Sequence, residues 1–221
     1  MKIVYKFPSR QRVEKFFKAV DNIYSLSRTN DWKIVATLDV DDVMYTESII
    51  ERISDYGDKL IPDYGISKGK VDSINRGLHK LPPFDVLICM SDDMVFTMEG
   101  FDEQIVSDML MYFPDTDGFL HYPDGAQTRI STMNIVGREY FNRTGYIYCP
   151  EYGSVYCDQE ETDKAKILGK YKFIDKNILR HLHPVWRTNS WDELYKKNES
   201  AENYSRDREV YNKRKENNFY L

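Results

Sequence analysis

Cysteine is scarce: Cys89, Cys149 and Cys157 are the only three in 221 residues. An odd number without metal-type spacing excludes a disulfide scaffold and leaves reduced thiols as the expectation. Long apolar runs are missing too. No stretch of about 18 apolar residues occurs, which excludes a transmembrane helix, and Met1–Arg10 has neither an apolar signal core nor a small-residue cleavage site. A cytoplasmic chain is therefore expected, at most peripheral to a membrane. The sequons at Asn142, Asn198 and Asn203 then count as chance matches. With 11 Gly and 8 Pro, collagenous and low-complexity classes drop out. Excess positive charge is absent as well: 31 basic against 36 acidic side chains give −5. That excludes a domain-wide basic field for nucleic acid and leaves only the local strip Lys213-Arg214-Lys215.

What remains is 41% hydrophobic and 14% aromatic, enough for the core of one globular domain. Ile3–Phe7 reads as a strand, with Pro8-Ser9 as punctuation and helix cap. Val13, Phe16, Phe17, Val20, Ile23 and Tyr24 follow at helical spacing. Trp32–Leu38 is a buried strand leading into Asp39, Asp41 and Asp42, and a helix is expected from about Thr46 to Asp55. A strand near Asp58–Pro62 and a helix over about Lys70–His79 precede Pro82-Pro83. Val86–Met90, the most apolar short run, ends in Ser91-Asp92-Asp93. Strand followed by helix three times in about ninety residues predicts a mainly parallel, doubly wound sheet, with ligands outside the carboxyl ends of its strands.

The second half is mixed: helices at Phe101–Tyr112, Arg138–Arg143 and Glu160–Leu168, and strands at Gly118–Tyr122 and Tyr171–Ile174. His181-Leu182-His183-Pro184 is expected to close the compact part. From Ser190 a charged, aromatic helical appendage folds over the site, anchored by Tyr195, Tyr204, Tyr211 and Phe219.

Several clusters carry chemistry, each with a plainer alternative. Asp92-Asp93, on the loop after a buried strand, can share a divalent ion with a diphosphate, or merely cap a turn. His183 can complete such a site through an imidazole nitrogen, or be structural. Asp39 and Asp41 can accept hydrogen bonds from a nucleobase and ribose, or cap the following helix. Lys68, Lys70 and Asn75 fall where cationic and amide groups can meet phosphate. Asp158-Gln159-Glu160-Glu161 precedes a helix and can hold a general base, or serve its macrodipole. No G-x-S-x-G, Walker A or catalytic-cysteine signature competes.

In order and spacing these pieces resemble the family 2-type, GT-A-fold glycosyltransferases over roughly residues 1–185, short phage and bacterial versions in particular. The resemblance rests on Phe7-Pro8-Ser9-Arg10, Leu38-Asp39-Val40-Asp41-Asp42 and Gly65–Lys70 leading into Asn75-Arg76-Gly77-Leu78. It continues through Met90-Ser91-Asp92-Asp93, Ile135–Phe141 to Gly145, Asp158-Gln159-Glu160 and His181-Leu182-His183-Pro184. It implies a Rossmann-like, mixed but mainly parallel sheet flanked by helices, with a helical C-terminal appendage. It also implies a nucleotide-diphosphate-sugar donor, Mn²⁺ or Mg²⁺, and inverting transfer to an acceptor hydroxyl. Carried over by position, Asp93 and His183 match metal ligands, with Asp92 beside them in the cofactor-binding set. Pro8, Arg10, Asp39, Asp41, Lys70 and Asn75 match nucleotide-contacting stretches, and Asp158 matches the general base. Ser91 and Cys157 depart from the pattern, standing where acids are usual.

The expected division is a catalytic domain over 1–188, with a nucleotide-binding half 1–95 and an acceptor and base half 96–188, followed by the appendage 189–221. The implied partners are a nucleotide-sugar donor, uridine by resemblance, and an acceptor glycan, glycoconjugate or modified nucleobase; the oligomeric state is left open. Two other readings stand beside this one: a haloacid-dehalogenase-like phosphohydrolase using Asp39 and Asp41, and an inactive nucleotide- or glycan-binding module.

Overall fold

A computed structural model describes residues 1–221. The first half is built as the strand–helix alternation predicts. β1 (Ile3–Ser9), α1 (Val13–Leu26), β2 (Trp32–Asp39), α2 (Glu47–Ser54), β3 (Leu60–Gly65), α3 (Lys70–Asn75) and β4 (Val86–Cys89) follow one another. The four strands are parallel in the order β3-β2-β1-β4, so the direction of winding reverses between β1 and β4. A crevice opens at such a reversal, outside the strands' carboxyl ends.

The second half adds β5 (Met94–Phe96), α4 (Phe101–Tyr112), β6 (Phe119–His121), β7 (Asn134–Gly137), α5 (Arg138–Asn142), α6 (Cys157–Ile167), β8 (Tyr171–Phe173) and β9 (Leu179–His181). β7 runs antiparallel to β4 and β6, and β8 parallel to β6, which completes a seven-stranded mixed sheet. β5 and β9 form a separate antiparallel ribbon with Met94 opposite His181, which sets His181 beside Asp93. Two helices, α7 (Glu193–Asn198) and α8 (Ala201–Glu216), end the chain. No helix is long and apolar enough to cross a membrane.

The period-two pattern of β1 sorts its side chains between two cores. Ile3, Tyr5 and Phe7 join Phe16, Val20, Ile23 and Phe101 on one face, while Val4 packs with Val35, Leu87, Tyr148, Tyr211 and Phe219 on the other. Lys6 shares that second face, fully buried and bonded to the Thr37 hydroxyl; burial pulls its ammonium down to about 8.

Several local expectations need correction. β1 runs through Pro8 and Ser9, and α1 starts after Arg12 with no side-chain cap; Ser9 serves the acid pair instead. The third strand begins later, at Leu60, because Gly57–Lys59 form a short 3-10 turn. α3 stops at Asn75: Gly77 follows at φ +78°, and a Cβ there would lie 3.0 Å from the Asp63 side chain. β5, β7 and β9 were not anticipated, since segments of three or four residues show too little periodicity. α6 starts at Cys157, which puts Asp158 inside its first turn rather than ahead of it. Of the expected anchors, Tyr195, Tyr211 and Phe219 are buried, whereas Tyr204 is 41% exposed and lines the crevice.

Candidate active site

The crevice is a cleft of about 540 Å³ lined by Pro8, Arg10, Asp39, Asp41, Lys70, Asp92, Asp93, Asp158 and His183, with α7 along one side. Asn75 is the expected residue missing from its walls. Its amide donates to the Tyr148 carbonyl at 2.7 Å and accepts from the Ile147 N–H at 3.0 Å, so the last residue of α3 fastens the second half of the chain.

At one end the carboxyl ends of the strands are braced by charge. Asp39 accepts from Arg10 at 2.9 Å through one oxygen, and from Arg76 and Ser67, both at 2.8 Å, through the other. Arg10 also bonds Asp41 at 2.7 Å and holds that carboxyl below the usual range. Arg76 carries the brace onward to Asp63 at 3.1 Å and to the Leu38 carbonyl at 2.9 Å. The sequence reading did not single out Arg76. Only its place between Asn75 and Gly77 could have signalled it, because its partners lie on two other strands.

In the middle the two neighbouring acids have different surroundings. Asp92 accepts from the Ser9 hydroxyl at 2.6 Å and from Arg12 at 3.1 Å; burial still pushes its carboxyl up to about 6 against the pull of Arg12. For Asp93 burial is outweighed by His181, Ser91 and Tyr195, which hold it well below the carboxylate range. Tyr195 donates to it at 2.7 Å, and His181 Nε2 lies 3.5 Å away. Ser91 is a further hydroxyl donor to Asp93. Burial, with His181 adding to it, holds the His183 imidazole down at about 4, so it is neutral near pH 7.

No three His, Cys, Asp or Glu side chains converge as a metal-holding group. The donors present still fit a divalent ion that completes its shell from a ligand. Asp93 offers a hard, ionised oxygen and His183 a neutral imidazole, a mixed set that Mn²⁺ accepts. The buried Nδ1 of neighbouring His181 has no hydrogen-bond partner.

At the other end Asp158 accepts the Gln159 N–H at 2.8 Å. Burial raises its pKa, Lys70 opposes the rise and Glu199 adds to it. Burial alone would lower Lys70, but Cys157, Asp158, Glu199 and Asp93 together raise it. The turn before α6 is held from the C-terminal segment. Asp207 of α8 accepts the N–H groups of Gly153, Ser154 and Val155 at 3.1, 2.8 and 2.8 Å. A Cβ on Gly153 would sit 1.7 Å from the Arg206 guanidinium, so a larger residue there would have to push that half-exposed side chain aside. Nothing in the local sequence reveals this fastening.

No protein-family model matches the chain. No curated protein matches it either. Solved structures do. Mannosyltransferase PcManGT from Pyrobaculum calidifontis, solved with GDP-Man and Mn²⁺, superposes with a TM-score of 0.62 at 13% identity, over 79% of this chain and 54% of that one. S. aureus TarS 1-349 with UDP-GlcNAc gives 0.64 at 13% identity, over 88% of this chain and 60% of that one. Glucosyl-3-phosphoglycerate synthase from Mycobacterium tuberculosis, with Mn²⁺, UDP and glucosyl-3-phosphoglycerate, gives 0.56 at 12% identity, over 82% and 72%. This chain thus spans only 54% and 60% of the length of the first two. The fold is that of the GT-A glycosyltransferases, as the sequence resemblance implied.

Proposed function

We propose that the chain transfers a sugar from a nucleotide-diphosphate sugar, a UDP-sugar first, to an acceptor hydroxyl with inversion, using a divalent metal and Asp158 as general base. One observation carries the reading. A single cleft holds the Arg10–Asp39–Asp41 brace, the ionised Asp93 and a carboxyl with raised pKa, Asp158, in the fold of enzymes solved with such donors.

Each group then has a task. Asp39 and Asp41, fixed by Arg10 and Arg76, accept from the base and ribose, with Pro8 shaping that wall. Lys70 faces the diphosphate with its charge. Asp93 and His183 would hold Mn²⁺ or Mg²⁺, which when bound offsets the charge that develops on the departing diphosphate. Asp158, with its proton affinity raised by burial, takes the proton of the attacking hydroxyl. Residues 1–95 would serve the donor and 96–188 the acceptor and base, with 189–221 closing one side. Ion pairs to Arg10 and Arg76 make Asp39 a weaker nucleophile, which weighs against a phosphohydrolase acting through it, while its remaining lone pairs still accept hydrogen bonds.

The test is thermal unfolding with UDP, GDP and CDP, each with and without Mn²⁺. A ligand at 100 times its Kd stabilises the native state by about 2.7 kcal/mol. The expected result is a metal-dependent rise with one nucleotide, and turnover of the matching donor. No rise with any of the three overturns the donor site; a rise without turnover leaves the inactive binding module.

A further inference from the structure

The C-terminal segment brings a second carboxylate toward the proposed base. Glu199 follows α7 directly, and its side chain is only 10% exposed within the cleft wall. Its Oε2 accepts the Tyr204 hydroxyl at 2.6 Å, whereas Oε1 stops 3.9 Å from His183 Nε2, beyond hydrogen-bond reach. The Tyr204 ring in turn packs edge-on against Tyr156, two residues before Asp158, and all four residues line the cleft. Cys157, which precedes Asp158, is a buried thiol that burial keeps protonated, so α6 supplies no acid at that position. On the same walls stand Trp186, 40% exposed, and Tyr204, 41% exposed.

This arrangement has the chemistry of saccharide recognition. A carboxylate oxygen with free lone pairs accepts hydroxyl protons, and a half-exposed indole offers a flat apolar face to ring C–H groups. Charge narrows the class further. Neither Asp158 nor Glu199 forms an ion pair with a lysine or arginine, although Lys70, Arg129 and Lys197 line the same cleft, so both carboxylates present their charge to the cleft. A phosphate beside the attacking hydroxyl would be repelled.

We propose that Glu199 is a specificity-determining residue for an uncharged saccharide acceptor: it accepts the hydroxyl next to the one that Asp158 deprotonates, with Trp186 against the sugar's apolar face. The inference rests on the transferase reading above. In the step itself, the acceptor O–H proton goes to Asp158, the acceptor oxygen bonds to the anomeric carbon, and the anomeric C–O bond breaks with its electron pair on the diphosphate. Glu199 gains and loses no proton; it orients the nucleophile.

The experiment uses the full chain, the donor selected by thermal shift, and three acceptor probes: alkyl glycosides, glycerol 3-phosphate and a single-stranded DNA oligonucleotide. Transfer to an alkyl glycoside is expected. Glu199→Gln, which keeps an acceptor for Tyr204, should raise that acceptor's KM about tenfold or more with the donor KM unmoved, since a hydrogen bond to a charged group is lost. Trp186→Ala, at an exposed position, should raise the same constant. Transfer to glycerol 3-phosphate or the oligonucleotide in place of the glycosides overturns the proposal, as does an unchanged acceptor KM in both variants. Absence of any nucleotide-dependent stabilisation in the wild type overturns the transferase reading first, and this inference with it.

Discussion

Tyr195 donates its phenol to Asp93 at 2.7 Å across 102 positions of sequence. The same ring carries the Arg12 guanidinium 3.7 Å above its centre, and Arg12 in turn bonds Asp92 at 3.1 Å and Asp192 at 2.9 Å. One aromatic side chain therefore ties the C-terminal segment to both acids at the end of β4. The site is completed by residues that a reading confined to the first 185 would leave out.

Tyr195→Phe removes the donor and keeps the ring beneath Arg12. Because the lost bond is to a charged carboxylate, unfolding in urea should show a loss of about 1.5–3 kcal/mol. The Mn²⁺-dependent part of nucleotide stabilisation should shrink with it, read by thermal unfolding.

Asp158→Asn keeps the shape of the first turn of α6 and removes the proposed base. Transfer should fall by about 10²–10⁴-fold, with the donor Kd unchanged. A parallel loss of donor binding would instead give Asp158 a structural role.

Activity should also report the raised pKa of Asp158. A general base works only when ionised, so if Asp158 serves as one the acid limb of the kcat profile should lie above the ordinary carboxylate range. Lys70 opposes that rise, so Lys70→Met should move the limb further upward.

Stability against pH should separate the neighbouring acids in metal-free protein. Asp92 titrates at about 6 in the fold, above its unfolded value, so the folded state binds that proton more tightly. Its contribution is present below about pH 4, falls as pH rises to about 6, and is level beyond. Asp93 is depressed in the fold, so its contribution is full above the unfolded value and is lost as pH falls. Urea unfolding from pH 3 to 7 should show Asp92→Asn removing the decline and Asp93→Asn removing the acid-side gain.

The attachment of α8 is testable through Arg214, which bonds the fully buried Glu160 at 2.8 Å. Arg214→Met strands a buried carboxylate and should cost about 3–5 kcal/mol in urea unfolding. Adding Glu160→Gln should recover part of that loss, because the uncompensated charge is gone.

Local sequence was enough for the alternation of strand and helix to β4, the acids at the ends of β2 and β4, and the class of fold. Those features are local: apolar periodicity shows which segments bury a face, and a strand end is where its carboxylates must emerge. Tertiary structure alone decided what each acid is. Asp92 and Asp93 are adjacent in sequence, yet Arg12 and Ser9 meet one while Tyr195, Ser91 and His181 meet the other, and their proton affinities move in opposite directions. Asn75 looked like a ligand until its amide met the backbone of Ile147 and Tyr148, and Arg76 looked incidental until it met Asp39 and Asp63. Glu199 and Asp207 enter the site or brace it from the far end of the chain. Such partners are set by three-dimensional proximity and burial, and no pattern of neighbouring residues encodes them.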